Sequence, residues 1–231
     1  MKCLDCQTRF SRWKVMRALA ITSAMALMGC NSARESAYGQ YGQFIIAAFK
    51  QSFGNGAVTR QQAAAVPYAS MGYRLNSGRE LLVVLATDTA GDLLWTSGQH
   101  IALMTRDGRI RRTVGLPNDV GAVTSSGDLG SPSQALKAPF YSTRQTDFPD
   151  LGLFGVNIRC HAVARGKTSV SILSTAIATV RVTETCRAEE LDWNFTDSFW
   201  VDPTSGMIWR AVQHIHPKGD ILETELLRPP S

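Results

Sequence analysis

The residue with the most informative chemical surroundings is Cys30, which follows an uncharged, mostly apolar stretch from 18 to 27. Ahead of that stretch, residues 1–17 carry five basic side chains and one acidic side chain. A basic segment, an apolar segment and then small residues form the three parts of a secretory signal. The apolar run is shorter than the roughly 20 residues that a transmembrane helix needs. The sequence therefore predicts export.

The segment Leu27-Met28-Gly29-Cys30 resembles the lipobox of bacterial lipoproteins, although Met28 is larger than the usual residue. The resemblance implies that the thiol takes a diacylglyceryl group, that the signal is cut before Cys30, and that the new amino group is acylated, as with palmitate. Several acyl chains are needed for lasting anchorage in a bilayer. Asn31 favours the outer membrane. The alternative is a buried cysteine at the end of an ordinary signal.

Removal of the signal changes the charge. The whole chain of 231 residues has 24 basic and 19 acidic side chains. Five of the basic and one of the acidic residues belong to the signal, so 19 and 18 remain. A nearly neutral chain gives no reason to expect a nucleic-acid partner. A start at Met16 would leave Cys3 and Cys6 untranslated, so we expect no metal or redox role for that pair.

Two cysteines and two histidines are candidates for a disulfide and for a metal site, respectively. In an oxidising compartment Cys160 and Cys186 could form a disulfide, and the alternative is two buried thiols too far apart to join. His214 and His216 lie two residues apart in an extended segment, so both could face one metal ion. No third ligand is apparent nearby in the sequence, and an ordinary polar surface is the preferred interpretation. We predict no metal site and no cofactor.

Four arginines, Arg106, Arg109, Arg111 and Arg112, surround an Asp-Gly turn. They could form a surface for an anionic polysaccharide or a lipid phosphate, although such a cluster is more often a solvated hairpin face. The sequence has no nucleophile elbow, P-loop, dinucleotide fingerprint or zinc-protease motif. The expectation is a protein that is not an enzyme.

The elements that would position these residues are mostly strands. Residues 1–29 are expected to be the signal, 30–57 a lipidated tether with a helix over 41–53, and 58–231 a single β domain. Short apolar or alternating segments predict about nine strands. These are 80–87, 92–96, 100–106, a segment after the Asp107-Gly108 turn, 156–164, 170–185, 193–201, 207–215 and 220–227. Close spacing favours an antiparallel β-barrel-like or sandwich domain. Residues 119–149 are expected to be mostly loop.

A register is predicted for the last three strands. Folding the chain at Asp202–Gly206 places Phe199 opposite Trp209 and Val201 opposite Met207, with Trp209 inward. The next turn places Arg210 opposite Glu225 on the outward face.

Several segments resemble the YjbF/GfcB-type outer-membrane lipoproteins of group 4 capsule and exopolysaccharide clusters. The segments are 67–70, 74–76, 81–86, 95–97, 105–110, 115–117, 199–203 with Gly206, and 226–229. The resemblance implies a barrel-like β domain behind an N-terminal helix, anchored to the outer membrane and facing the periplasm. It also implies a role in assembling or exporting surface polysaccharide, beside an outer-membrane β-barrel and a periplasmic partner.

Two functions remain open at this point. The first is a non-enzymatic accessory factor in polysaccharide assembly or export. The second is a carrier module that binds glycan or lipid in a half-barrel cavity, and this one requires a concave apolar or aromatic-lined interior.

Overall fold

The computed structural model describes residues 66–97, 100–125 and 129–230. Twelve strands lie in these ranges. They are β1 (Ser70–Leu75), β2 (Leu81–Thr89), β3 (Asp92–Thr96), β4 (Ala102–Arg106), β5 (Arg109–Val114), β6 (Val123–Thr124), β7 (Phe140–Phe148), β8 (Leu153–Ile172), β9 (Thr175–Ala188), β10 (Trp193–Val201), β11 (Ile208–His214) and β12 (Ile221–Arg228). Short 3₁₀ turns cover Pro132–Leu136, Pro149–Leu151 and Glu189–Leu191.

All twelve strands form one antiparallel sheet in the order β5-β4-β3-β2-β1-β12-β11-β10-β9-β8-β7-β6. The two end strands approach each other, and the Thr113 amide of β5 donates at 3.0 Å to the carbonyl of Val120, in the segment that leads to β6. The sheet is therefore a nearly closed barrel, as the prediction of a mainly β, barrel-like fold required. The predicted N-terminal helix lies outside the described residues, and no helix within them has the length and apolar character of a membrane span.

Side chains alternate between the interior and the outside because successive residues of a strand face opposite ways. One end of the interior is filled by an apolar cluster that includes Val83, Trp95 and Leu103. The other half is filled by two clusters, one around Phe148 and Ile158 and one around residues such as Phe199. The indole of Trp95 is buried and donates to the Thr105 hydroxyl at 2.8 Å.

A further apolar cluster lies on the outer face. Leu82 and Val84, on either side of the interior residue Val83, pack with Val170 and Ile172 from the end of β8. The long β8–β9 hairpin therefore covers part of the outside of the barrel. This explains why the apolar run in β2 shows no alternation, since the strand is covered on both faces.

The predicted strands agree with the structure where the turns between them contain residues that favour turns. Asp107 and Gly108 both have positive φ, 50° and 70°, as a two-residue hairpin turn requires. The predicted segment 170–185 is wrong, because 170–172 ends β8 and the chain turns at Leu173 and Ser174, with φ of 46° and 69°. Neither is glycine, so the sequence gives no turn signal. The expected loop region 119–149 contains β6 and β7, and β1 was also missed.

The predicted register of β10 against β11 is wrong, whereas that of β11 against β12 is correct. Val201 faces Ile208 and a β-bulge then places Phe199 opposite Ala211. Because the bulge shifts the register, Trp209 packs half-buried with the outer apolar cluster rather than inward. Arg210 does lie opposite Glu225.

Candidate functional site

A network of ion pairs lies in the barrel interior. Glu184 of β9 and Asp197 of β10 are almost fully buried. Arg109 of β5 donates to both carboxylate oxygens of Glu184, with Nη2 at 2.8 Å from Oε1. Arg144 of β7 bridges the two acids, with Nη1 at 3.4 Å from Glu184 Oε2 and Nη2 at 3.5 Å from Asp197 Oδ2. Four strands are thus connected through two arginines and two carboxylates.

The positive charges of the two arginines compensate the negative charges of the two carboxylates. Burial alone would raise the pKa of Glu184, but the charges and hydrogen bonds of Arg109 and Arg144 outweigh it and lower that pKa. The guanidinium of Arg109 also lies over the Phe199 ring, 5.2 Å from its centroid. Glu184 is buried, so the arrangement joins strands inside the barrel.

Sequence reasoning missed Glu184, Asp197 and Arg144. A signal was present, since Glu184 alternates with Val182 and Cys186 on what reads as an apolar strand face. A charged residue at an inward-facing position of an alternating strand indicates either a buried partner of opposite charge or a wrongly assigned strand register.

The two histidines considered for a metal ion face different carboxylates. His214 Nδ1 lies 3.2 Å from Asp197 Oδ1, which also accepts the His214 backbone amide at 2.8 Å. His216 is fully buried, and its Nε2 lies 3.0 Å from Asp150 Oδ1. His216 Nδ1 accepts the Lys218 amide, so Nε2 carries the hydrogen and donates to Asp150. Each imidazole is therefore already held by its own carboxylate.

Cys160 and Cys186 form a disulfide, with an S–S distance of 2.07 Å. They are directly opposite each other on β8 and β9. Their sulfurs and a Glu184 oxygen lie within 4.8 Å of one another, the kind of cluster that can hold a metal ion. Metal ligation needs free thiolates, so the disulfide makes this cluster unsuitable.

The four hairpin arginines do not all lie on one surface. Arg109 points into the barrel, whereas Arg106 is exposed and forms a bidentate pair with Asp92 at 2.7 Å. Arg112 is exposed and Arg111 is half-buried. Burial lowers the pKa of Arg111, Asp92 opposes this, and neighbouring arginines add to the lowering. A cleft of about 210 Å³ is lined by Arg106, Asp107, Arg109, Arg111, Ser125, Leu129 and Gly130.

Two other spaces bear on ligand binding. The space among Arg144, Asp197 and the surrounding interior side chains is about 30 Å³, the size of one water molecule. A larger cleft of about 420 Å³ lies at the hairpin end of the barrel, lined by residues that include Met71, Trp209 and Leu226. Cys30, the predicted site of lipid attachment, lies outside the described residues.

These features define a small antiparallel β-barrel whose interior is filled by apolar clusters and buried ion pairs. Residues 47–227 match the family described as group 4 capsule polysaccharide lipoprotein gfcB, YjbF, and the chain belongs to this family.

Similarity to Escherichia coli (K12) lipoproteins is found in both sequence and structure. The uncharacterized lipoprotein GfcB is 26% identical over 220 residues, which cover 93% of this chain and 99% of GfcB. The crystal structure of the hypothetical lipoprotein YmcC superimposes with a TM-score of 0.72 at 24% identity, covering 86% of this chain and 99% of YmcC. The second similarity supports the barrel fold.

Proposed function

We propose that this protein is an outer-membrane lipoprotein on the periplasmic face that acts as a non-enzymatic accessory factor in capsule or exopolysaccharide assembly or export. The family match over 47–227 carries this proposal. In it, residues 1–29 are removed, Cys30 carries the lipids, 30–57 form a tether and helix, and 58–231 form the β domain. Its partners are an outer-membrane β-barrel and periplasmic proteins of the export system.

The interior of the barrel supports a scaffold role. Its carboxylates are buried and engaged by arginines, so the described ion pairs contribute to a stable shape rather than to a reaction. A rigid barrel on a lipid anchor is suited to presenting its outer surfaces to partners.

The alternative of a half-barrel carrier requires an open interior. The space beside Arg144 and Asp197 accommodates about one water molecule, far below the volume of a sugar or an acyl chain. The cleft beside Arg106 and Arg111 is a surface feature. The cleft at the hairpin end reaches the interior residues Trp95 and Thr105, so it is the space that a carrier would use. We prefer the accessory role because the family match supports it, and we keep the hairpin arginines as a proposed secondary contact for anionic groups.

The test is deletion of the gene in its own organism, with complementation by the wild-type chain. We expect surface polysaccharide, measured as cell-associated acidic sugar, to fall on deletion and to return on complementation. We also expect an outer-membrane β-barrel protein to co-purify with the complementing chain. Unchanged surface polysaccharide in the deletion strain would refute the proposal.

A further inference from the structure

The outer face of strands β7–β10 has an unusual composition. Its outward positions are the odd-numbered residues of 141–145, 157–165 and 181–187 and the even-numbered residues of 194–198. None of these positions holds a carboxylate, and four hold arginine. Most of the others are threonine, serine, asparagine or glutamine. We call this surface the basic face.

The arginines of the basic face are placed at an electrostatic cost. Arg159 lies directly opposite Arg187 on the neighbouring strand, and like charges in that position destabilise a sheet. Arg159 has a partner in Glu189, on a turn at the rim, with the two charged atoms 3.6 Å apart and both side chains well exposed. Within the described part of the chain, Arg165, Arg181 and Arg187 form no ion pair. Arg165 instead donates to the Thr183 hydroxyl at 2.7 Å.

An exposed aromatic pair adjoins the arginines. Tyr141 stacks on His161 with ring centroids 4.3 Å apart and an interplanar angle of 14°. Tyr141 is 81% exposed. Because β6 pairs with β7 only at 145–146, Tyr141 lies on a stretch of β7 that no described strand flanks on that side. The exposed ring of Tyr141, positioned by stacking on His161, is therefore available to contact a flat apolar surface.

We propose that the basic face binds an acidic polysaccharide. The guanidinium group of arginine forms paired hydrogen bonds with carboxylate, phosphate or sulfate groups. Hydroxyl and amide side chains can hydrogen-bond sugar hydroxyls. The ring of Tyr141 can pack against the apolar face of a sugar. A membrane surface is a poorer match, because the basic face lacks a cluster of exposed aliphatic side chains. This inference rests on the proposed function, to which it adds direct contact with the glycan.

The experiment measures binding of the full-length lipoprotein in detergent micelles to immobilised polygalacturonate, with its methyl-esterified form as the uncharged control. We expect binding to polygalacturonate alone, and weaker binding as salt increases. The double variant Arg159→Gln/Arg187→Gln should weaken binding about tenfold, since two charge contacts are lost. Tyr141→Ala should also weaken it. All three residues are exposed, so thermal unfolding should be little changed.

A matched variant, Arg79→Gln/Arg228→Gln, removes the same charge from exposed positions at the β1–β2 turn and the end of β12 and should retain binding. Loss in this variant with retention in the Arg159/Arg187 variant would overturn the proposal, as would equal binding to both polymers. Tighter binding to phosphatidylglycerol vesicles than to polygalacturonate, lost in the Arg159/Arg187 variant, would also overturn it. The variants are also tested in the deletion strain. Full complementation by a variant that fails to bind would refute this inference and leave the accessory role intact.

Discussion

Replacement of Glu184 by glutamine tests the buried ion network most directly. Glutamine has nearly the same shape and still offers one oxygen to Arg109, so the main change is the loss of one negative charge. In the wild type two arginines face two carboxylates within the barrel. In Glu184→Gln, Arg109 would lose its carboxylate partner and Arg144 would keep Asp197.

The expected effect is large because the charges are hidden from water. The side chain of Glu184 is 1% exposed and that of Arg109 is 5% exposed. Removing one partner of such a pair costs about 3–5 kcal/mol, and the oxygen retained by glutamine favours the lower value. At about 2–4 °C per kcal/mol for a chain of this size, Tm should fall by about 6–12 °C.

Thermal unfolding followed by circular dichroism provides the assay. Arg106→Gln, which breaks the exposed pair with Asp92, is the control and should cost less than about 1 kcal/mol. Arg109→Gln combined with Glu184→Gln restores charge balance, so it should be less destabilised than the sum of the single variants. A Glu184→Gln protein with a Tm equal to that of the control would refute the reasoning.

The pH dependence follows from the lowered pKa of Glu184. A carboxyl whose pKa is lower in the folded state stabilises the fold above its unfolded pKa, near the ordinary value of 4.5. That stabilisation is lost as the pH falls towards the folded pKa. The difference in Tm between wild type and Glu184→Gln should therefore be constant near neutral pH and shrink well below pH 4.5. A difference that grows in acid would contradict the assignment.

Three other predictions concern separate features. Cys186→Ala should remove the link to Cys160 and cost about 3–4 kcal/mol; non-reducing electrophoresis and a urea melt would check it, and an unchanged mobility would contradict it. Gln213→Leu should speed amide exchange at Ile110, whose N–H donates to Gln213 Oε1 at 3.1 Å, and should cost about 1–3 kcal/mol; unaltered exchange would show that the contact is unimportant. Cys30→Ser should release the chain from the membrane fraction, and retention there would argue against lipid attachment at that residue.

The sequence was sufficient for the fold where local chemistry sets the strand boundaries. Segments 92–96 and 193–201 are strands with those same limits, and Asp107-Gly108 is a hairpin turn. It was insufficient where the chain turns without the residues that usually form turns. Leu173 and Ser174 turn without glycine, and a bulge beside Gly166 continues β8 where the predicted strands 156–164 and 170–185 left a break.

The candidate site was predictable to a lesser degree. The hairpin arginines are recognisable as a cluster in the sequence, but their division between interior and surface depends on the sheet register. Glu184 meets Arg109 across 75 positions in the chain, and a single sequence contains no local pattern for such a contact. The inward position of Glu184 could have been read from its alternation with apolar neighbours, but the identity of its partner could not.

The strand order also has a consequence for how the protein folds. Every neighbouring pair in the sheet is consecutive in the chain except β1 and β12, where Met71 faces Leu226. Consecutive hairpins close short loops, whereas this pair must bring distant segments together, so we expect it to form late. Until the last strand is available, β1 would present an unpaired edge of the kind that promotes association between chains. The C-terminal strand thus completes the barrel, and correct folding depends on its pairing with β1.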